Sequence, residues 1–406
     1  MSSLQGKSVV LCVTGGIAAY KAADLTSRLK KKGADVFILM TRSATEFITP
    51  LTLEVLSGNR VVADMFHRDF PWEVEHISLA KRADVFVIAP ATANIIGKAA
   101  HGIADDMVST TLMATRAPLV IAPAMNTGMY ENPVVQQNME ILRQRGARIV
   151  APASGRLACG DTGRGKLADP QDIADAIERV ATVQDLAGIK ILVTAGPTRE
   201  ALDPVRFLSN HSTGKMGYAI AASAALRGAA VTLVSGPTAL TPPSGVQMVP
   251  VVSAQDMHDA VLAGFQQTDW VVKAAAVGDY RPMTAAEDKI KKKSGEISVS
   301  LVRNPDILAE IGAMKRAGQL ICGFSMETRD LLENSQKKLA AKNCDMMVAN
   351  NLKTAGAGFA HDTNVATLLY QGGAAEPLPL MSKEDLANIV LDRLLRESRK
   401  REGKCQ

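Results

Sequence analysis

The chain has 406 residues, 47% hydrophobic and 21% charged, with a formal net charge of +5. That length suits two domains of roughly 100–200 residues each, with the composition of an ordinary soluble globular protein. Aromatics are only 4% and the basic residues are spread out, which argues against a nucleic-acid binder, and no apolar run reaches the roughly 18 residues of a membrane helix.

The five cysteines, Cys12, Cys159, Cys322, Cys344 and Cys405, are odd in number and show no CxxC spacing, so no disulfide framework is expected. Cys12 and Cys322 stand in apolar runs and read as core. No signal peptide precedes Val9, which makes the cytoplasm the expected location. Lysines gather at Lys289-Ile290-Lys291-Lys292-Lys293 and in the tail Arg396–Lys404; the tail reads as solvated charge. A mild basic excess suits phosphorylated small-molecule substrates through steering.

In chain order, the apolar run Ser8–Val13 predicts a strand, broken by Thr14-Gly15-Gly16. Ile17–Lys32 follows with helical apolar spacing, and Asp35–Met40 is a second strand. A β-loop-α-β unit of this kind implies a parallel sheet with a right-handed crossover. The turn is not GxGxxG, and Met40-Thr41-Arg42-Ser43 offers no acid for a ribose diol. Hydroxyls and an arginine favour a mononucleotide such as FMN over NAD. Val85–Ala89 and Leu119–Ala122 are two more strands, ending in Ala-Pro-Ala-Thr-Ala-Asn and Ala-Pro-Ala-Met-Asn. Ligands of open α/β sheets bind at the carboxyl ends of strands, so both loops belong at a binding rim. Thr92 is expected to cap a helix Ala93–Ala100. His76 precedes a short helix Ile77–Arg82, and Cys159 lies in a glycine-rich stretch that reads as a mobile loop. Taken alone, a single His is more simply a cap or surface residue, and a loop Cys is no more telling.

Asp169–Val183 reads as the helix closing the first domain, with the boundary near Leu186: domain one is 1–186, domain two 187–406. The second half opens on Ile191–Glu200, an apolar run entering Gly196-Pro197, and continues to Asn210 and Gly214-Lys215-Met216-Gly217 before the helix-like Tyr218–Arg227. This is not a P-loop, because Met216 stands where a hydroxyl is required. Ala230–Ser235, Trp270–Ala276, Leu320–Phe324 and Asp345–Ala349 are strands, Thr328–Lys342 a long helix, Asn364–Tyr370 a late edge strand and Lys383–Arg396 a terminal helix. The fold class is α/β, with two Rossmann-like doubly wound domains, the first flavodoxin-like. The Lys289 cluster, ten residues after Asp279, is placed to fold over a triphosphate as a lid.

Gly-Gly-Ile-Ala-Ala-Tyr-Lys, the His76 segment, Pro-Ala-Met-Asn and Ala-Cys-Gly-Asp together resemble the flavin-dependent cysteine decarboxylases. With the second half, nearly all of residues 5–395 resemble the bifunctional phosphopantothenoylcysteine decarboxylase/phosphopantothenate–cysteine ligase family of bacterial coenzyme A biosynthesis. The resemblance implies that 4′-phosphopantothenate is joined to cysteine at the expense of CTP, through an acyl-cytidylate. The product is then oxidatively decarboxylated to 4′-phosphopantetheine; oxidation of the thiol side by FMN gives the carbanion the electron sink it lacks.

The same resemblance assigns residues. His76 would be the base or carboxylate orienter, and Asn126 would hold the substrate carboxylate beside Met125. Cys159 would donate a proton from a flap. Gly15, Gly16, Ile17, Thr41, Ser43, Thr92, Ala93, Asn94 and Ile95 would hold FMN. Asn210 would stabilise the acyl-cytidylate, Lys289 the charge on the phosphates, and Asp279 the nucleotide or Mg²⁺. Ala274, Ala275, Ala276, Pro305, Asp306, Ile307, Leu308, Phe324, Lys338 and Lys342 would contact CTP. Two departures from the family pattern stand out: Gly278 in place of Ala, expected to loosen the backbone beside Asp279, and Ser325-Met326 in place of Ala-Ala, expected to add bulk near Phe324. The resemblance also implies trimeric decarboxylase units and dimeric ligase domains, hence a homo-oligomer, a dodecamer. Two other classes fit the sequence less well. A binding-only flavoprotein is disfavoured because both Cys159 and His76 are present. An NAD-dependent oxidoreductase is disfavoured because both halves lack GxGxxG and the ribose acid.

Overall fold

A computed structural model describes residues 4–65, 74–157, 160–291, 297–327, 330–351 and 361–403. The chain divides into two compact units, Ser2–Val183 and Gln184–Gln406.

The first unit is built on six parallel strands: β1 Ser8–Val13, β2 Asp35–Met40, β3 Val61–Val62, β4 Val85–Ala91, β5 Leu119–Pro123 and β6 Arg148–Ile149. They lie side by side in the order 3-2-1-4-5-6. Strand β1 shows why the sheet is covered on both faces. Val9, Leu11 and Val13 alternate onto one side, against Leu25 and Leu29 of helix Lys21–Lys31 and Ile173 and Ile177 of helix Pro170–Ala181. Val10 and Cys12 face the other way, against Ile95, Ile96 and Met107. A strand buried on both faces must be apolar throughout, which is how this run reads. Cys12 is fully buried as expected, and burial pushes its thiol well up.

The glycine-rich stretch around Cys159 is more ordered than a loop. An antiparallel hairpin forms from β7 Ala153–Arg156 and β8 Thr162–Lys166, with Ser154 opposite Arg164 and Arg156 opposite Thr162. Cys159 itself lies outside the described residues.

In the second unit the strands are β9 Lys190–Ala195, β10 Arg199–Ala201, β11 Phe207–Ser209, β12 Ala230–Ser235, β13 Val246–Pro250, β14 Trp270–Lys273, β15 Tyr280–Pro282, β16 Leu301–Arg303, β17 Leu320–Glu327, β18 Met346–Asn351, β19 Thr363–Asn364, β20 Ala366–Tyr370, β21 Ala375–Pro377 and β22 Met381–Ser382. Eight of them make one sheet in the order β13-β12-β9-β14-β17-β18-β20-β21. The first six are parallel and repeat the connectivity of the first unit; β20 and β21 add an antiparallel edge. Each sheet therefore has a topological switch point, between β1 and β4 in one and between β9 and β14 in the other, where crevices form at the carboxyl edge.

Several boundaries differ from the sequence reading. Strand β14 stops at Lys273 rather than Ala276, because the Ala276 amide turns to Gly196 O (3.0 Å) and its carbonyl is taken by Asn210. The edge strand is β21, not β20, since the hairpin beyond Tyr370 folds back onto the sheet. Ile17–Tyr20 is a 3-10 turn before the α-helix Lys21–Lys31. His76 stands inside helix Glu75–Arg82 rather than before it. The long helix of the second half is Leu331–Ala341, with Lys342 as its C-cap; Thr328 lies outside the described residues. The terminal helix runs on to Glu402, past its apolar stripe, helped by a Lys400–Glu397 pair (2.7 Å) and by Arg401 bound to Asp345.

Candidate active sites

In the first unit, the glycine turn after β1, the Thr41 loop after β2 and the Thr92 loop after β4 converge on one rim. The Thr14 hydroxyl donates to Pro90 O (2.6 Å) and accepts from the Thr92 amide (3.2 Å), tying β1 to β4. A Cβ on Gly15 would sit 2.3 Å from Ser43 Cβ, so only glycine lets these two loops approach so closely. Thr92 does cap its helix, Ala93–His101, accepting from the Ile95 amide, and Thr41 caps Arg42–Thr45 by accepting from the Ala44 amide. Ile17 is exposed on this rim at 61%. The result is a hydroxyl-lined cradle at helix N-termini with no ribose-binding acid. Such a cradle fits the phosphate of a mononucleotide flavin.

A second feature sits at the end of β5. Asn126 caps helix Thr127–Glu131, accepting from Gly128 N (2.8 Å), while its side-chain nitrogen donates to Asp161 (2.8 Å). The Met125 amide donates to Gly165 O (2.9 Å). The β7–β8 hairpin is thus seated on Met125-Asn126. Beneath it, Thr127 Oγ1 is the single buried side-chain polar atom without a hydrogen-bond partner among the described residues. His76 is half-buried, and no hydrogen bond joins it to the other residues of this site among the described residues.

In the second unit, the turn after β9 meets the ends of β12 and β14. Gly196 and Gly214 both adopt left-handed backbone, with φ of 75° and 80°. A Cβ on Gly217 would lie 2.5 Å from Ala195 Cβ, so the helix Lys215–Leu226 packs flush on β9. That helix starts at Gly214 with no side-chain cap hydrogen bond, and a helix N-terminus favours an anion.

Asn210 donates to Ala276 O (3.0 Å), joining two stretches expected to share the site. The Asp279 carbonyl accepts from Asn304 N (2.9 Å), next to Pro305. Asp306 caps Ile307–Ala313 and pairs with Lys342 at 2.9 Å. Burial works to raise the Asp306 pKa, but Lys342 and the Ala309 amide outweigh it and hold the carboxyl below its usual range. Lys338 is exposed one turn back along the helix.

Phe324 is separated from this pair. Strand alternation sends it to the Leu320 and Cys322 face, while Ile321 faces Ile307 and Leu308. The Ser325 hydroxyl is buried against Ser335 (3.0 Å) and so adds no bulk beside Phe324. Gly278 is not loose either: its amide donates to Thr198 Oγ1 (3.0 Å) and its carbonyl accepts from Asn304 (2.8 Å).

Lys289 is exposed, and its loop is anchored from below. The buried Asp203 carboxylate accepts the Val205, Arg206 and Ile290 amides (2.8, 2.8 and 3.1 Å), and Arg206 donates to Ile290 O (2.7 Å). Asp203 lay in the opening motif of the second half without a role attached. Lys292 and Lys293 lie outside the described residues. Sequence reasoning also passed over Lys273, at the end of β14, where burial pushes the ammonium down to about 8 and Lys342 pushes the same way. A charged residue ending an apolar strand at the ligand rim was the available signal.

Family models match both halves: "Flavoprotein" over residues 1–182 and "DNA/pantothenate metabolism flavoprotein C-terminal domain" over 186–397. The chain is 47% identical over 395 residues to the coenzyme A biosynthesis bifunctional protein CoaBC of Bacillus subtilis, covering 96% of this chain and 97% of that one. It is 46% identical over 397 residues to the protein of the same name from Escherichia coli, covering 97% and 98%. A solved structure of the C-terminal domain of such a protein is 43% identical, covers 53% of this chain and 99% of that one, and superposes with a TM-score of 0.47. With two unlike strand-end sites in one chain and near-full-length identity of this order, the chain belongs to the bifunctional coenzyme A biosynthesis protein family.

Proposed function

We propose that the second unit joins 4′-phosphopantothenate to cysteine with CTP, and that the first unit decarboxylates the product to 4′-phosphopantetheine with FMN. The observation that carries the reading is that one chain holds two switch-point sites of opposite character. One is a hydroxyl-lined cradle without a ribose acid; the other gathers Asn210, Lys273, Lys342 and an uncapped helix N-terminus. The relatives' name, covering both halves, supports the pairing.

In the ligase site, a free carboxylate must first be activated, because it is a poor acylating agent. Asn210, held at Ala276 O, keeps its side-chain oxygen available to orient a donor or water at the acyl-cytidylate. Lys289, on a loop braced by Asp203, would close over the phosphates and meet the charge that develops on them. Ala274, Ala275, Ala276, Pro305, Asp306, Ile307, Leu308, Phe324, Lys338 and Lys342 are the proposed nucleotide contacts, beside Asp279 and Lys289. Mg²⁺ is proposed to arrive on the triphosphate, with Asp279 as its protein ligand.

In the decarboxylase site, Gly15, Gly16, Ile17, Thr41, Ser43 and Thr92 through Ile95 would hold FMN. Bound FMN supplies the reversible oxidation of the thiol-bearing carbon that allows carbon dioxide to leave. Asn126 would take the substrate carboxylate with the amide nitrogen it now gives to Asp161. His76 would act as base or orienter, and Cys159 would donate the final proton; a thiol of ordinary pKa near 8.5 holds its proton at neutral pH.

No helix among the described residues is long and apolar enough to cross a membrane. A cytoplasmic homo-oligomer, a dodecamer, acting on small molecules is the proposed form. The test supplies purified full-length protein with CTP, Mg²⁺, cysteine and 4′-phosphopantothenate. Pyrophosphate and carbon dioxide should appear in equal amounts. Asn210→Asp should stop both, and Cys159→Ser should release carbon dioxide but hold the product at an oxidised stage. Full turnover in either variant would remove that residue from the scheme.

A further inference from the structure

Lys273 is the only charged residue of β14, Trp-Val-Val-Lys, and stands at its carboxyl end. Its register neighbours are Thr194 on β9 and Gly323 on β17, so it sits in the middle of the sheet, beside the switch point. Alternation puts its side chain on the face of Val271, which packs with Ile307, Leu308 and Leu339. That face carries the helices ending in Asp306 and Lys342, the 2.9 Å ion pair. Lys273 feels the charges of Lys342, Asp306 and Asp279. Among the described residues its ammonium nevertheless makes no hydrogen bond and no ion pair.

A half-buried cation without a partner is costly, and nothing in the packing of β14 requires one. A Met or Leu would fill the same stem and remove the desolvation. The Lys342 charge beside it is already matched by Asp306, so Lys273 supplies the unmatched positive charge at this point of the rim. Its neighbours Ala274, Ala275 and Ala276 carry nothing beyond Cβ that would block an approaching ligand.

We propose that Lys273 is a nucleotide-binding residue whose ammonium takes an oxygen of the CTP phosphate chain at the end of β14. This rests on the ligase reading above. A polyanion is the ligand that such an unmatched charge recognises best, and the ammonium does so as a compact point charge rather than a fork. The low pKa agrees with the site's being built to be completed by an anion: a bound phosphate would raise it back toward the usual lysine range.

The test compares full-length wild type, Lys273→Met and Lys273→Arg with Mg²⁺ present. Calorimetry measures binding of CTP and of cytidine, and pyrophosphate release gives KM for CTP and for 4′-phosphopantothenate. Lys273→Met should weaken CTP by roughly tenfold or more, the scale of one charge-assisted contact. It should leave cytidine binding and the 4′-phosphopantothenate KM within about twofold, again on the scale where twofold is a small fraction of a contact. Lys273→Arg should recover most of the CTP affinity. The Met variant should also melt no lower than wild type, since it loses a desolvated charge. Unchanged CTP affinity in Lys273→Met, or equal losses for CTP and cytidine, overturns the proposal. A wild type that releases no pyrophosphate from CTP overturns the ligase reading and this proposal with it.

Discussion

The Asn126 side chain donates to the Asp161 carboxylate across 2.8 Å, fastening the β7–β8 hairpin to the end of β5. The hairpin is held at the same place by the Met125 amide on Gly165 O. The residue proposed to hold a substrate carboxylate is therefore already holding one, from the hairpin that would cover the site. On the proposed reading, a substrate carboxylate would compete with Asp161 for the Asn126 amide.

That competition makes Asn126→Asp informative. Two carboxylates at hydrogen-bond distance repel, and the hairpin loses one of its anchors. Decarboxylation should fall by about 100-fold, on the order of 3 kcal/mol of barrier. Limited proteolysis should cut between β7 and β8 faster than in wild type. Unchanged cutting would mean the Asn126–Asp161 bond does not hold the hairpin.

Gly165 and Gly155 give a paired control. Both occupy backbone that other residues rarely adopt, with φ of 131° and 150°. A Cβ on Gly165 would also lie 2.3 Å from Met125 O, whereas one on Gly155 meets nothing within 4 Å. Strain alone costs roughly 1–3 kcal/mol in either alanine variant. Gly165→Ala should additionally unseat the hairpin and lose decarboxylase activity, while Gly155→Ala should lose stability and keep most activity. Equal activity loss in the two would show that the seat at Met125 is unimportant.

Gly278→Ala should be benign. Its φ is not left-handed, and an added Cβ meets nothing closer than 3.5 Å. Ligase activity should stay within about twofold, and the unfolding midpoint should rise by the equivalent of roughly 0.4–1 kcal/mol, through the unfolded chain. A large drop in activity would mean that a freer backbone beside Asp279 is needed after all.

Acid should loosen the appended edge of the second sheet. Arg393 grips Glu376 through Nε and Nη2, Tyr370 donates to it at 2.8 Å, and these contacts hold the carboxyl down at about 2. A carboxyl depressed in the folded state stabilises above its ordinary pKa of about 4.3 and loses that contribution as pH falls toward 2. The contribution is about 2 kcal/mol after allowance for partial exposure. Urea midpoints of wild type and Glu376→Gln should differ at pH 7, with the gap narrowing below about pH 4 and closing only as pH falls through about 2. A gap that does not narrow between pH 7 and about pH 2 would point to packing rather than charge.

Much of this was legible in the chain itself. The two doubly wound halves follow from apolar runs such as Ser8–Val13 alternating with helix-period stretches, because a parallel strand covered on both faces must be apolar throughout. The Thr92 cap and the buried Cys12 and Cys322 were equally local matters. Strand ends were less legible. Ala274–Ala276 has the composition of a strand, yet the Gly196 turn and Asn210 claim its hydrogen bonds.

The residues of the site divide the same way. Motifs marked Asn126 and Asn210 because their chemistry is carried by a short stretch. Asp203, Asp161 and Lys273 were silent because their meaning lies in what stands beside them: the amides of Ile290, the amide of Asn126, and the matched pair Asp306–Lys342. Sequence alone determined the architecture, since periodicity and side-chain type are properties of the chain, and it pointed to the two chemistries through the family its motifs resemble. Only the tertiary structure decided which charges are paired and which are left open, because hydrogen bonding and desolvation depend on neighbours that are distant along the chain.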